Sequence, residues 1–398
     1  MNSYVQQLCQ IAQQPSRRII GLMSGTSLDG LDVALCRITG AGPAMQLELE
    51  YFTTVPYTDA FRNEIRKVFA KSEINFRQLC VLNPYLGRQH GQMVLACLAD
   101  WGVAAAEVDL LASHGQTVYH APQKQHGLPH FPNATLQIGD GDHVAVTTGI
   151  ITLSDFRQKH LAAGGEGAPL AVYGDYLLFT KPGENRILLN LGGIANFTYL
   201  PGTADAAAVF TTDTGPGNTL IDALARQYFD QPYDQEGAIA ARGHIHPGLL
   251  HYLKQHPFFE ADFPKTTGPE VFNLHYLQEA QQRSGTTSVK PEDLLATLTR
   301  FSADTVVQAM RHFLRADQTY QLYASGGGAH NPVLMRHIRE QLPGCPLRRT
   351  DELGIPGDAK EAVLFAVLAN ETVAGGGTDF GGREGVPSIS MGKISFPG

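Results

Sequence analysis

Apolar and polar positions along this chain fall into two rounds of the same kind. The run "RIIGLM" is apolar, breaks into "SGTSLDG" and resumes as "LDVALCRI". Two strand patterns around a Gly-punctuated turn predict a β-hairpin. "MQLELEYF" alternates and predicts a third strand. Residues 76–101 place Leu82, Leu86, Met93, Cys97 and Trp101 on one helical stripe. "VDLLAS" reads as a short buried strand ending at Ser113, His114 and Gly115. The turn "GDGDH" and the run "VAVTTGIITLSDF" then lead out of the first half.

The second round opens at 186–200, "RILLNLGGIANFTYL", where two apolar runs flank Gly192, Gly193, Ile194, Ala195 and Asn196. A strand-like "AAAVFTT" runs into "DTGPGN" and the helix "TLIDALARQYF". A long helix carries Leu298, Phe301, Val306, Met310 and Phe313, and the strand "YQLYAS" leads through "GGGAHN" to a helix from Pro332. Each half holds an early hairpin and an inner strand that ends in a Ser loop, without any sequence repeat. Two α/β lobes with a ligand cleft between them are expected. They divide into 1–152 and 153–375, with the tail 376–398 a candidate to rejoin the first.

Composition narrows the class. With 398 residues, 43% hydrophobic and 17% charged, the chain is globular and long enough for two domains. A formal charge of -8 argues against a nucleic-acid surface. No apolar run approaches a membrane span, and the Gln-rich start "MNSYVQQLCQIAQQPSRR" lacks a signal peptide's apolar stretch. Cys9, Cys36, Cys80, Cys97 and Cys345 are odd in number and unpaired in spacing, which suits a reducing cytoplasm, with Cys36 and Cys97 as core residues. His244 and His246 in "HIHP" lack a third ligand at metal-site spacing and read as a surface loop.

Chemistry gathers at the glycine turns. The first hairpin offers Ser24, Thr26 and Ser27 hydroxyls, N–H groups near Gly25 and Gly30, and the carboxylates Asp29 and Asp32. Consecutive N–H groups in a Gly turn make an anion-binding concavity. A carboxylate beside it suggests a metal carried in with the anion, although an ordinary solvated turn would use the same residues. In "GGGAHNP", Asn331 stands at a helix N-cap and Pro332 at N1; Gly326, Gly327 and Gly328 bring bare backbone to the helix start, which favours a flat or anionic ligand. In "DTGPGNTLID" a strand is expected to end at Asp213, Gly215 and Gly217 to bend the chain, and Asn218 to cap the next helix. Asp213 aimed at an anion-binding turn is costly unless a cation or proton transfer compensates it; as a plain turn residue it would need neither. No P-loop, complete dinucleotide fingerprint, Gly-x-Ser-x-Gly elbow or His-Glu-x-x-His occurs. Phosphate held by two hairpin turns, with a third Gly loop for the base, describes the sugar kinase/Hsp70/actin architecture, a ribonuclease H-like α/β fold.

In order and spacing, "GLMSGTSLDGLD", "SHGQTVYH", "SDFRQKHLAAGGEGAPL", "LNLGGIANFT", "DTGPGNTLID", "FNL" and "GGGAHNP" resemble the anhydro-N-acetylmuramic acid kinases from Gly21 to about Ala369. The resemblance implies a cytoplasmic enzyme of peptidoglycan recycling. It would use ATP, Mg²⁺ and water to convert 1,6-anhydro-N-acetylmuramic acid to N-acetylmuramic acid 6-phosphate. A homodimer is the expected assembly. Gly25, Thr26, Ser27, Leu28, Asp29, Gly30, Leu31 and Asp32 match the family's ATP-binding stretch, with Asp29 the candidate Mg²⁺ ligand. Gly192, Gly193, Asn196, Gly215, Gly217, Gly326, Gly327, Gly328 and Asn331 are expected to complete the nucleotide site. Asp213 matches the catalytic base and Glu361 a second carboxylate facing the sugar, although Glu361 could also be a solvated helix residue. His114, Gln116, Thr117, Arg157 and Lys159 are expected to hold sugar hydroxyls and the lactyl carboxylate.

Two departures stand out. Glu166 replaces a Gln common in the family, and "KTTGPEVFN" carries Pro269 in place of an Arg. An extra carboxylate and a lost guanidinium leave a neutral anhydrosugar, as in the levoglucosan kinases, as an alternative substrate. A nucleotide-gated regulatory protein on the same fold would keep the Gly turns without needing Asp213.

Overall fold

The computed structural model describes residues 1–168, 170–382 and 385–398; Pro169 of the "GGEGAPL" stretch, and Arg383 and Glu384 of the tail, lie outside the described residues. The chain forms two compact units. One comprises Met1–Phe179, Ala206–Ala208 and Gly354–Gly398, and the other Thr180–Asp205 and Val209–Leu353.

In the first unit, β1 (Ser16–Ser24), β2 (Gly30–Thr39) and β3 (Gln46–Pro56) form an antiparallel meander. β4 (Leu110–Ala121) runs parallel to β1, and β6 (Thr152–Ser154) parallel to β4, giving the order β6-β4-β1-β2-β3. β5 (Ala134–Ile138) pairs antiparallel with the far half of β4. In the second unit, β7 (Asn185–Leu191), β8 (Ile194–Leu200) and β9 (Phe210–Pro216) form the meander, with β10 (Tyr320–Ser325) and β11 (Leu347–Arg349) parallel on its other side. Its order, β11-β10-β7-β8-β9, is that of the first sheet. The shared order of elements read from sequence is thus a shared topology. β12 (Lys393–Ser395) pairs antiparallel with β6 and finishes the first sheet's edge.

The helix Phe76–Trp101 matches its predicted bounds. Asn75 accepts from the Gln78 N–H at its start, and Gly102 at φ +67° closes its end. Its buried Leu82, Leu86, Val94 and Leu98 pack on Ile20, Leu22, Val33 and Leu35, while Met93 and Trp101 are only half-buried. Each such aliphatic side chain contributes about 1.5–3 kcal/mol on burial.

Several local expectations change. β4 does not stop at Ser113–Gly115: Gly115, at φ +72°, bends the strand, which continues to Ala121 against β5. "VAVTT" belongs to the helix Gly141–Thr148, started by Asp140, whose side chain accepts from the Asp142 and His143 N–H groups. The chain enters the second unit at Thr180 rather than at 153, because β6 is a strand of the first sheet and Gly174 of the helix Ala171–Phe179 packs close against Leu364. The helix Lys360–Ala374 also belongs to the first unit. It crosses β1 at Gly21, where a Cβ would run into the Ala362 carbonyl oxygen. Cys36 and Cys97 are buried as expected. His244 is exposed, and His246 caps the helix Pro247–Leu253 by accepting from the Leu249 N–H.

Candidate active site

The β1–β2 turn is built by its own side chains. Asp29 Oδ1 accepts from Ser27 Oγ at 2.8 Å and from the Gly30 N–H at 3.0 Å, and Leu28 takes a left-handed conformation at φ +57°. The Gly30 N–H is therefore spent inside the turn, while Thr26 and Ser27 are exposed. Asp32 Oδ1 accepts from Thr54 Oγ1 at 2.6 Å, and partial burial raises its pKa above the usual carboxylate range.

Behind the turn lies a chain of hydrogen bonds whose polarity is fixed throughout. Gln116 Nε2 donates to the Gly25 carbonyl at 3.3 Å, and its Oε1 accepts from Ser24 Oγ at 2.5 Å. Ser24 Oγ accepts from the Tyr57 hydroxyl at 2.8 Å. The Tyr57 hydroxyl, having spent its proton, accepts from His90 Nε2, also at 2.8 Å. His90 is fully buried and neutral, with its pKa pushed down to about 3 by desolvation. Gln116 is thus committed to bracing the turn; Tyr57 and His90, which the sequence reading did not single out, are the rest of the brace.

On the same unit, His114 Nδ1 donates to the Gly115 carbonyl at 2.9 Å, and Nε2 accepts from Arg157 Nε at 2.9 Å. Burial and Arg157 push the pKa of His114 down to about 3. Arg157 Nη1 reaches the Gly167 carbonyl at 2.7 Å. Glu361 is exposed, yet crowding by neighbouring protein raises its pKa above the usual range, with Arg157 pulling it back. The structure so brings His114, Arg157 and Glu361 into one electrostatic group, with Thr117 half-buried nearby on β4. Lys159 is exposed and makes no ion pair among the described residues. Glu166 pairs with Lys124 at 3.1 Å, so its extra charge is compensated locally.

In the second unit β9 runs past Asp213 to Pro216, because it stays paired with β8. Asp213 is held from both ends: its N–H donates to the Lys265 carbonyl at 2.9 Å, and Oδ2 accepts from the Thr267 N–H at 2.8 Å. Burial raises its pKa, and the Thr267 bond only partly opposes this. The turns around it interlock. The Gly217 and Thr219 N–H groups donate to the Gly193 carbonyl and that of Asn218 to the Gly192 carbonyl, at 2.8–3.1 Å. Asn218 does not cap its helix with its side chain; Nδ2 donates to the Leu191 carbonyl instead. Asn331 does cap, accepting from the Val333 and Leu334 N–H groups. Gly215, at φ +138°, carries the bend after Asp213. Gly328 packs on Leu191, but Gly327 is exposed and a Cβ there would meet only Asn218 Nδ2, at 3.7 Å.

Register adds what spacing could not. Ser325 pairs with Asn190, Asn190 with Asn196, and Asn196 with Asp213, so four polar residues cross the sheet in one row. They face away from the core formed by Leu189, Leu191 and Phe197. Asn190 and Ser325 are the members the sequence reading missed.

Among the described residues no group of three or more His, Cys, Asp or Glu could hold a metal ion.

Two units of one ribonuclease H-like strand order, each with a glycine hairpin, and an aspartate held at the end of a polar row define the sugar kinase/Hsp70/actin class. Within it, the family model for anhydro-N-acetylmuramic acid kinase matches residues 17–382, and the chain belongs to that family. A protein of Pseudoalteromonas atlantica (strain T6c / ATCC BAA-1087) named anhydro-N-acetylmuramic acid kinase is 58% identical over 400 residues, covering 100% of both chains. One of that name from Bacillus thuringiensis subsp. konkukian (strain 97-27) is 38% identical, covering 95% of this chain and 99% of its own. Among solved structures, a ROK family glucokinase from Streptomyces griseus in complex with glucose and AMPPNP is 11% identical, covers 88% of this chain and 98% of its own, and superposes with a TM-score of 0.33.

Proposed function

We propose that this chain is an ATP-dependent kinase that opens the 1,6-anhydro bridge of 1,6-anhydro-N-acetylmuramic acid and phosphorylates O6, giving N-acetylmuramic acid 6-phosphate and ADP. The observation that carries the reading is Asp213: a partly buried carboxylate with a raised pKa, one oxygen fixed by the Thr267 N–H and the other left to act, in a chain that matches the family over residues 17–382. A raised pKa moves the carboxylate toward the range where a general base works well.

Asp213 draws a proton from water, and the water oxygen forms a bond to C1 while the C1–O6 bond breaks. O6 then attacks the γ-phosphorus of ATP, and the bond to the β-phosphate oxygen breaks to release ADP. Arg157, positioned by His114, pairs with the lactyl carboxylate, and Glu361 and Thr117 orient the sugar. The turn Gly25–Asp32 and the loop Gly326–Gly328 bind the nucleotide. Asp29 and Asp32 would hold Mg²⁺, which supplies charge neutralisation on the phosphates when bound.

The test is Asp213→Asn, assayed with ATP against both 1,6-anhydro-N-acetylmuramic acid and levoglucosan in ¹⁸O-labelled water. Turnover of the muramic substrate should fall by roughly two or more orders of magnitude with binding retained, and the label should enter C1 only. Near-normal turnover, label in the phosphate ester, or faster wild-type turnover of levoglucosan would refute it.

A further inference from the structure

The strand that carries Asp213, β9, is the edge of the second sheet, and β8 is its strand partner among the described residues. Backbone groups on the outer side of an edge strand need partners from outside the sheet. Here the segment after the 3₁₀ turn Pro257–Glu260 supplies them. The Lys265 N–H donates to Thr212 Oγ1 at 2.9 Å, and the Lys265 carbonyl accepts from the Asp213 N–H. Two residues further on, the Thr267 N–H holds the Asp213 carboxylate. A loop, and not the sheet alone, therefore aims this side chain.

The Lys265 side chain is what ties the loop down. Nζ donates to the Phe258 carbonyl at 2.8 Å and to the Phe259 carbonyl at 3.1 Å. It also lies 4.7 Å from the centre of the Phe258 ring and 5.3 Å from that of Phe263. A cation suits both the last carbonyls of a helical turn and the faces of aromatic rings. The far end of the clamp is fixed in the core. Phe259 is buried with Phe272 and Phe301, and a Cβ on Gly215 would meet its ring at 2.9 Å. Burial lowers the pKa of Lys265, and Glu260, the carboxylate that faces it, opposes this.

We propose that Lys265 is a positioning residue for Asp213: its ammonium clamps the loop to the Phe258 and Phe259 carbonyls, and the loop, through the Lys265 carbonyl and the Thr267 N–H, fixes where the carboxylate points. This rests on the reading of Asp213 as the general base. Burial raises the pKa of Asp213 and the Thr267 bond lowers it. Releasing the loop removes the lowering influence, so the pKa rises further. The base works deprotonated, so the acidic limb of the rate profile moves to higher pH.

The test is the pH profile of kcat with ATP and 1,6-anhydro-N-acetylmuramic acid, which reports groups that titrate in the enzyme–substrate complex. Lys265→Met keeps the aliphatic stem and loses the donors. Its kcat should fall roughly ten- to a hundred-fold, the cost of a misplaced catalytic group, with KM for both substrates within about three-fold. Its acidic limb should move up by roughly half a pH unit or more. Lys265→Arg retains a cation with N–H donors and should keep the wild-type limb. Thr212→Val, close to isosteric, loses only the bond to the Lys265 N–H and should move the limb in the same direction, which tests the loop even if Lys265→Met does not fold. A wild-type kcat in Lys265→Met would overturn the proposal. So would a lowered kcat with an unmoved limb, a limb moved as far by Lys265→Arg as by Lys265→Met, or an unmoved limb in Thr212→Val. Near-normal turnover in Asp213→Asn would instead overturn the reading of Asp213 itself, so the two failures are distinguishable.

Discussion

Acidification should unfold the first unit well before carboxylate protonation would be expected to do so. His90, His114 and His160 are buried there as neutral rings, with pKa values lowered to about 3, 3 and 4 from an unfolded value near 6.5. Desolvation is the main cause in each case, and Arg157 opposes a second charge on His114 and His160. Because the folded pKa lies below the unfolded one, the unfolded chain binds more protons, and stability falls as pH drops through 6.5. Between pH 7 and 5 each ring costs about 2 kcal/mol, so the three together cost up to about 6 kcal/mol. A typical domain has only about 5–15 kcal/mol to lose. Asp32, Glu361 and Glu371, whose folded pKa values are raised, gain relative stability as they protonate and offset part of this. The single tryptophan, Trp101, belongs to this unit and stacks on Tyr51 with ring centroids 5.2 Å apart. Its fluorescence in urea should report a midpoint about 2 M lower at pH 5 than at pH 7, for a slope of about 3 kcal/mol/M. His90→Gln cannot titrate and keeps an N–H donor toward Tyr57, so it should reduce the pH dependence by about a third. A midpoint that does not move between pH 7 and 5 would refute the assignment of three neutral buried rings.

Two substitutions probe the nucleotide turns. Gly327→Val places a side chain where the protein itself leaves room, so urea stability should stay within about 0.5 kcal/mol, while ATP affinity measured by calorimetry should fall at least ten-fold; unchanged affinity would remove Gly327 from the site. Tyr57→Phe leaves the His90 Nε2–H without an acceptor and Ser24 without a donor, costing about 1–3 kcal/mol. Because the damage reaches the Gly25 carbonyl through Gln116, KM for ATP should rise more than kcat falls, and equal effects on both would argue for a purely structural role.

Elements whose evidence is local were legible in the chain. The helix Phe76–Trp101 follows from its stripe and the Asn75 cap, and Asn331 with Pro332 fixes the start of the helix Pro332–Gln341. What failed to show depends on pairing between distant segments. Gly115 reads as a strand end, yet β5 is waiting to pair beyond it. Asn218 has the composition of a cap, but the Gly192 and Gly193 carbonyls already take the N–H groups around the helix start. In the site, Asp213 and the Gly turns stand out by residue type. Ser325 and Asn190 become members of its row only through register, and Gln116 is revealed as a brace only once Tyr57 and Ser24 are seen behind the turn.

The second unit is enclosed within the sequence of the first, and this sets an order of events on the ribosome. Residues up to Leu353 suffice for the second unit, whereas the first still lacks the helix Lys360–Ala374 across Gly21 and the strand β12 beside β6. At about 5–20 residues per second, the amino-terminal sheet waits roughly 10–35 s from the synthesis of Phe179 until its missing parts begin to be made. During that interval β6 is an unprotected edge, the kind of surface that recruits strands from other chains. A late contact in this sequence ties the segment after β12 back to the first helix: the Tyr4 hydroxyl donates to the Gly398 carbonyl at 2.8 Å, and the Tyr4 and Phe396 rings stack. Nascent chains are therefore at greatest risk of aggregation while the second unit is being made, and holding the amino-terminal sheet through that interval is where a chaperone would raise the yield.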